Sequence, residues 1–177
     1  MKFSETSLHG AYIIDIEPVT DIRGYFARTY CEKEFNELGL KVPFVQCNVS
    51  YNHNRGTLRG MHYQQTPYEE TKLIRCIRGA IYDVIIDIRP ESPTYMQWIG
   101  VELSEHNNRS LYVPEGFAHG FQTLEDRTEV FYQMGAFYVP ESGRGIRWND
   151  PAFGIQWPLS NPIMSDRDRQ YSDWKES

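Results

Sequence analysis

Short stretches of apolar or alternating apolar and polar residues recur along the whole chain: Tyr12 to Ile16, Phe44 to Tyr51, Thr57 to Gln64, Leu73 to Ile77, Ala80 to Ile88, Trp98 to Leu103, Ser110 to Val113 and Glu129 to Met134. Most are separated by Gly, Pro, Asn or Asp, and that rhythm predicts an all-β sandwich or barrel. Within Ile81 to Ile88, one side carries only Tyr82, Val84, Ile86 and Ile88, while the other alternates Ile81 and Ile85 with Asp83 and Asp87. This reads as a strand with one face in the core. The best helix candidate is Glu32 to Leu38, with Phe35 and Leu38 on one side and Gly39 able to close the end in a left-handed conformation. The tail from Asn149 to Ser177, rich in Pro, Asp and Trp, is expected to lie irregularly over the body with short ordered pieces. No repeat, low-complexity tract or linker divides the sequence, so residues 1–177 are expected to form one domain.

At 177 residues the chain can bury a sizeable core without disulfides or metal. A net charge of -6 and a pI near 5.4 argue against nucleic acid or an acidic membrane as partner, because either calls for a basic surface. Cys31, Cys47 and Cys76 are odd in number and lack metal-type spacing, which fits reduced structural thiols in the cytoplasm. The polar start, Met1 to Thr6, has no apolar signal region, and no run reaches the roughly 18 to 20 apolar residues of a membrane helix. The expectation is a soluble, unprocessed protein.

The chemistry concentrates in Gly56-Thr57-Leu58-Arg59-Gly60-Met61-His62-Tyr63-Gln64, where an arginine and a histidine lie in a glycine-bounded strand. Gly56 and His62 have the spacing that opens the first cupin motif, and Pro114-Glu115-Gly116-Phe117-Ala118-His119 matches the Pro-x-Gly-x-x-His core of the second. A metal-binding cupin places a second histidine at position 64; this chain has Gln64, a poor ligand. His62 is therefore better suited to moving a proton than to holding an ion. A metal site built from His62 and His119, with Glu69 or Glu70 swinging in, is the weaker alternative. From spacing alone Tyr132 reads as a core aromatic, Lys72 as a solvated residue at a strand start, and Asp168 as a surface carboxylate. His9, His53 and His106 read as ordinary surface positions.

Taken in order, Asp21-Ile22-Arg23-Gly24-Tyr25-Phe26, Gln46-Cys47-Asn48, Gly56 to Gln64, Lys72, Pro114 to Gln122, Tyr132, Arg144 to Pro151 and Ser165-Asp166-Arg167-Asp168 resemble the dTDP-4-dehydrorhamnose 3,5-epimerase family. The resemblance implies a metal-free, cofactor-free cupin jelly roll with a few short helices, a homodimer, and a nucleotide-linked 4-keto-6-deoxyhexose as substrate. The C4 ketone acidifies the hydrogens at C3 and C5, so a base can remove either and leave an enolate. By resemblance His62 is that base, Asp168 orients it, Lys72 stabilises charge at the C4 oxygen, and Tyr132 returns a proton on the opposite face. A phenol is weakly acidic, so a cation is expected near Tyr132. Arg59 and His119 resemble residues around the sugar and diphosphate, and Gln46 and Asn48 those lining the floor. Arg23 resembles an arginine reaching the nucleotide from the neighbouring subunit. Arg167 matches a basic residue just before the aspartate.

Two positions depart from the family pattern. Arg28 stands where the family usually has glutamate, and Gly143 where another glutamate commonly precedes Arg-Gly. Both belong to the substrate-contacting periphery, so they bear on the nucleotide, the sugar, and the choice of C3, C5 or both. The rival functions are a mono-epimerase on a differently based nucleotide sugar, a metal-dependent cupin enzyme, and a catalytically silent nucleotide-sugar binding module.

Overall fold

The alternating stretches fold into two facing antiparallel sheets in a computed structural model that describes residues 1–40 and 44–175. The last two residues of the expected tail lie outside the described range. In chain order the strands and helices are β1 (Lys2–Glu5), β2 (Tyr12–Asp15), β3 (Val19–Asp21), β4 (Gly24–Phe26), α1 (Glu32–Glu37), β5 (Gln46–Asn52), β6 (Leu58–Gln64), β7 (Lys72–Arg78), β8 (Ala80–Asp87), β9 (Trp98–Ser104), β10 (Ser110–Val113), β11 (Phe117–Thr123), β12 (Thr128–Met134), a single 3₁₀ turn (Pro140–Ser142), β13 (Gly143–Gly145) and α2 (Asp166–Arg169). One sheet has the order β1-β2-β10-β7-β12-β5 and the other β13-β6-β11-β8-β9. Together they form the expected jelly roll. A separate ribbon, β3-β4, completes the strand set.

Period-two alternation sends Ile74, Cys76 and Val130 from the first sheet, and Ile81, Ile85, Phe117 and Phe121 from the second, into a shared core. The expectation of one core face for β8 is too modest. Its other face packs Val84 and Ile86 against Met61, Ala118, Ile146, Phe153 and Ile155, with Tyr82, Trp157 and Trp174 at the margin. The chain after β13 supplies much of this second layer, which is why β8 is buried on both sides. Asp83 and Asp87 are consequently sealed at 0 % exposure, and each has a cationic or imidazole partner, as a buried carboxylate requires.

The helix ends as expected, with Gly39 at φ +68° just past it. Phe35 is fully buried among Phe3, Tyr30, Phe44 and Tyr112. Leu38 does not share that face: it caps the helix and is 45 % exposed. Of the three free cysteines, Cys76 is buried and Cys47 exposed; burial pushes the Cys76 thiol up to about 12, where it stays protonated. No helix among the described residues is long and apolar enough to cross a membrane.

Candidate active site

His62 and His119 stand directly opposite one another on the antiparallel pair β6 and β11. Directly opposed residues share a face of the sheet, and here it is the inner one, since Phe117, His119 and Phe121 alternate toward the core. On a regular strand Arg59, three residues before His62, would point outward. It does not, because β6 bulges: Arg59 pairs with Phe121 while His62 pairs with His119, so three steps on β6 span two on β11. Glycines make this possible. Gly60 has φ +131°, and a Cβ there would sit 2.5 Å from the Gly120 Cα. One extra residue thus brings the arginine and both histidines to the same side.

Across the cavity, the first sheet contributes its own inner residues. Lys72, Met134 and Gln46 are aligned on β7, β12 and β5, as are Tyr132 and Asn48 on the latter two. The resulting cavity, about 400 Å³, is lined by His62, His119, Lys72, Tyr132, Gln46 and Asn48, with Tyr138, Gly143 and Arg167 at its rim. His62 reaches it from one sheet and Tyr132 from the other.

Behind His62 stands Asp168. It belongs to α2, whose first turn is capped by Ser165 Oγ accepting from the Asp168 amide at 3.1 Å. Asp168 Oδ1 lies 2.8 Å from His62 Nε2, and Oδ2 accepts the Gly60 amide at 3.3 Å. Burial works to raise this carboxyl, but the hydrogen bond and charge of His62, the Gly60 amide and the Arg167 charge outweigh it and hold Asp168 below the usual carboxylate range. An ionised carboxylate only accepts, so Nε2 carries the proton of this bond, and the nitrogen that exchanges a proton with a substrate is Nδ1. The dyad therefore presents a base. Tyr171 packs edge-on against the His62 ring, centroids 5.8 Å apart, in space that a Cβ on Gly145 would fill.

His119 pairs with Asp83 instead, Nε2 to Oδ1 at 2.7 Å. Burial drives His119 below the ordinary histidine value against the opposing pull of Asp83, so its ring is neutral at physiological pH. It lies edge-on to Tyr132, centroids 6.1 Å apart. The Tyr132 phenol is raised by burial and by the Asp83 charge, while Arg59 and Ser50 pull it the other way. Arg59, fixed by a 2.8 Å bond from Nε to Asn52 Oδ1, is a cation that acts on this tyrosine, but its pull does not offset the burial. Lys72 is buried, with its ammonium 3.0 Å from Glu70.

The remaining expected site residues divide. Gln46 and Asn48 are joined by a 3.4 Å bond on the floor, and Arg167 lies at the rim over the Tyr171 ring. Arg59 is exposed beside the cavity and does not line it. Arg23 is remote from it, 85 % exposed on the β3-β4 ribbon and tied to Asp21. Arg28 pairs with Glu34 at 2.9 Å, away from the cavity. Gly143 faces it, and a Cβ would come 3.5 Å from an Arg167 nitrogen. Gln64, at the vacant ligand position, spends its amide on Tyr68 O, Glu70, Phe137 O, the Val139 amide and Ser142. No cluster of three or more His, Cys, Asp or Glu among the described residues could hold a metal ion. Asp83, Tyr138 and Tyr171 are parts of this site that were not expected from the sequence, and Glu70, expected only as an alternative metal ligand, instead pairs with Lys72. Asp83 left a signal, an acid interrupting an otherwise apolar strand; Tyr171 left none.

Comparison with known proteins bears directly on this arrangement. Residues 5–176 match the family model described as dTDP-4-dehydrorhamnose 3,5-epimerase. A relative of that name from Methanothermobacter thermautotrophicus is 48 % identical over 99 % of this chain and 96 % of its own. The crystal structure of the Bacillus anthracis dTDP-4-dehydrorhamnose 3,5-epimerase, with TDP and PPi bound, superposes with a TM-score of 0.95 at 44 % identity, covering 98 % of this chain and 99 % of that one. The Legionella pneumophila dTDP-6-deoxy-D-glucose-3,5-epimerase, in complex with dTDP-4-keto-L-rhamnose, gives a TM-score of 0.91 at 37 % identity, covering 97 % and 92 %.

Proposed function

The chain belongs to the dTDP-4-dehydrorhamnose 3,5-epimerase family, and from that premise we propose how its own residues carry out the epimerisation of a dTDP-linked 4-keto-6-deoxyhexose at C3 and C5. His62 Nδ1 takes the hydrogen from C3 or C5 as a proton, and the electron pair left behind moves into the enolate, with its charge on the C4 oxygen. Asp168 balances the imidazolium that forms. Lys72, buried and cationic, stabilises the enolate oxygen. Tyr132 gives its phenolic proton to the same carbon from the other side, which inverts the centre; the His62 imidazolium then releases its proton to solvent and solvent reprotonates the tyrosine, so both groups are reset. One observation carries this reading: base and phenol reach a single cavity from opposite sheets, as inversion at carbon demands. Gln46, Asn48, His119 and Arg167 line the same cavity and would hold the nucleotide sugar, with Arg59 beside them.

We further propose that the working form is a homodimer in the cytoplasm. Arg23 lies outside its own chain's cavity, on a ribbon whose Val19, Ile22 and Phe26 are 74 %, 104 % and 80 % exposed. Such a ribbon buries its apolar residues, and brings Arg23 to a nucleotide, only against a neighbouring subunit. The three free thiols suit a reducing compartment.

Incubation of the purified protein with dTDP-4-keto-6-deoxyglucose in heavy water tests the function. Deuterium at both C3 and C5 is expected. Absence of label at both carbons refutes the reading, and label at one carbon only reassigns the protein as a mono-epimerase.

A further inference from the structure

Lys72 is held by a contact that no chemical step above uses. Its ammonium and the Glu70 carboxylate are 3.0 Å apart, with side chains only 7 % and 10 % exposed. A lysine on a four-carbon stem has many rotamers, and burying its charge costs free energy unless a partner is fixed beside it. Glu70 is that partner, and Glu70 is itself fixed: its second oxygen lies 3.2 Å from Gln64 Nε2.

Gln64 carries the connection further. Its amide nitrogen is 2.9 Å from Tyr68 O and 3.2 Å from Phe137 O, while its oxygen accepts the Val139 amide at 2.6 Å and the Ser142 hydroxyl at 3.3 Å. With two hydrogens for three acceptors and a twice-used oxygen, the side chain has no capacity left over. The segment it grips, residues 137–143, forms the rim of the cavity through Tyr138 and Gly143. Gln64 is 4 % exposed, so water does not compete for these bonds. A continuous buried path therefore runs from the rim, through Gln64 and Glu70, to the ammonium.

Resting on the reading of Lys72 as the enolate stabiliser, we propose that Gln64 and Glu70 are paired positioning residues that set the Lys72 ammonium and the 137–143 rim together. Gln64 seats the rim and orients Glu70, and Glu70 aims Lys72. Both border the cavity, and in this proposal they act through Lys72 and the rim and not on the reacting atoms. In this chain the vacant ligand position of the cupin motif has become the hub of that path.

The test is steady-state kinetics on dTDP-4-keto-6-deoxyglucose for Glu70→Leu, Glu70→Gln, Gln64→Met and the Gln64→Met, Glu70→Leu double variant, with hydrogen exchange at the Val139 amide and thermal unfolding alongside. Glu70→Leu is expected to lower kcat about ten- to hundredfold, the scale of an ångström's misplacement, with KM and Val139 protection unchanged. Glu70→Gln, whose amide oxygen still accepts from the ammonium, should recover most of that loss. Gln64→Met should raise KM, lower kcat and speed Val139 exchange, and the double variant should have a kcat no more than about twofold below that of the worse single variant, because both act along one path. Should Glu70→Leu fail to fold, Glu70→Asp, which draws the carboxylate back by one methylene, carries the same kcat test. Unchanged kcat in folded Glu70→Leu or Glu70→Asp, or losses that multiply in the double variant, overturns the proposal. If the wild-type protein exchanges no deuterium, it is the reading of the function that fails; if the wild type exchanges and the variants match it, only the positioning path fails.

Discussion

His62 and His119 are neighbours across one strand pair, and each has an aspartate at hydrogen-bond distance, yet they are unequal. The His62 side chain is 41 % exposed and that of His119 6 %, so His62 is the more open of the two to exchange a proton with solvent and substrate. His119 instead offers a neutral ring beside Tyr132, and its burial has a measurable consequence. Because its folded value is depressed, the unfolded chain binds a proton at this residue before the folded one does, and stability declines as pH falls through the ordinary histidine value of about 6.5. Thermal unfolding between about pH 7.5 and 5 should therefore show a falling midpoint in the wild type and a shallower fall in His119→Asn. Parallel curves would mean that His119 charges as readily folded as unfolded. Asp168 has the opposite profile in chemistry but the same direction in pH: its depressed value contributes stability that is present above about pH 4 and lost on further acidification.

Strand periodicity makes most of the sheet legible and fails where two-step alternation is broken or hidden. Eight alternating stretches correspond to eight strands, but β11, which carries His119, has all seven residues buried and so shows no alternation to read. β13 is three residues long, and β3 and β4 expose every side chain, so neither has a core face to mark it. The bulge is the costliest omission, since a regular β6 would put Arg59 and His62 on opposite faces. His62 and Lys72 are legible through family order, whereas the roles of Glu70 and Asp83 are not, because they depend on pairings with Lys72 and His119 that only folding makes. The bulge also yields a prediction at this scale. Gly60→Ala adds a Cβ 2.5 Å from the Gly120 Cα at a φ that side chains rarely adopt. It should destabilise the protein by about 2 kcal/mol or more and lower exchange activity further than lost folding explains, because the same amide holds Asp168. A variant with normal stability and full activity would show that β6 tolerates a regular register.

For the whole molecule, the exposed ribbon and the distant Arg23 make complementation between subunits the expected behaviour. Arg23→Ala and His62→Asn should each be nearly inactive alone. When the two are unfolded and refolded together, each mixed dimer regains one complete site, with His62 from the first chain and Arg23 from the second, and activity should return to roughly a quarter of wild type. No recovery would place Arg23 in its own chain's site or outside catalysis. The two-layered burial of β8 backs its neighbour β11, the strand that carries His119. The central claim is that His62 is the base facing Tyr132 across that cavity. The most direct measurement is the rate of deuterium incorporation at C3 and C5 from heavy water by wild type and by His62→Asn, each shown to be folded and to bind dTDP. A loss of about 10²- to 10⁴-fold at both carbons is expected in the variant; exchange at the wild-type rate with His62 gone would show that another group is the base.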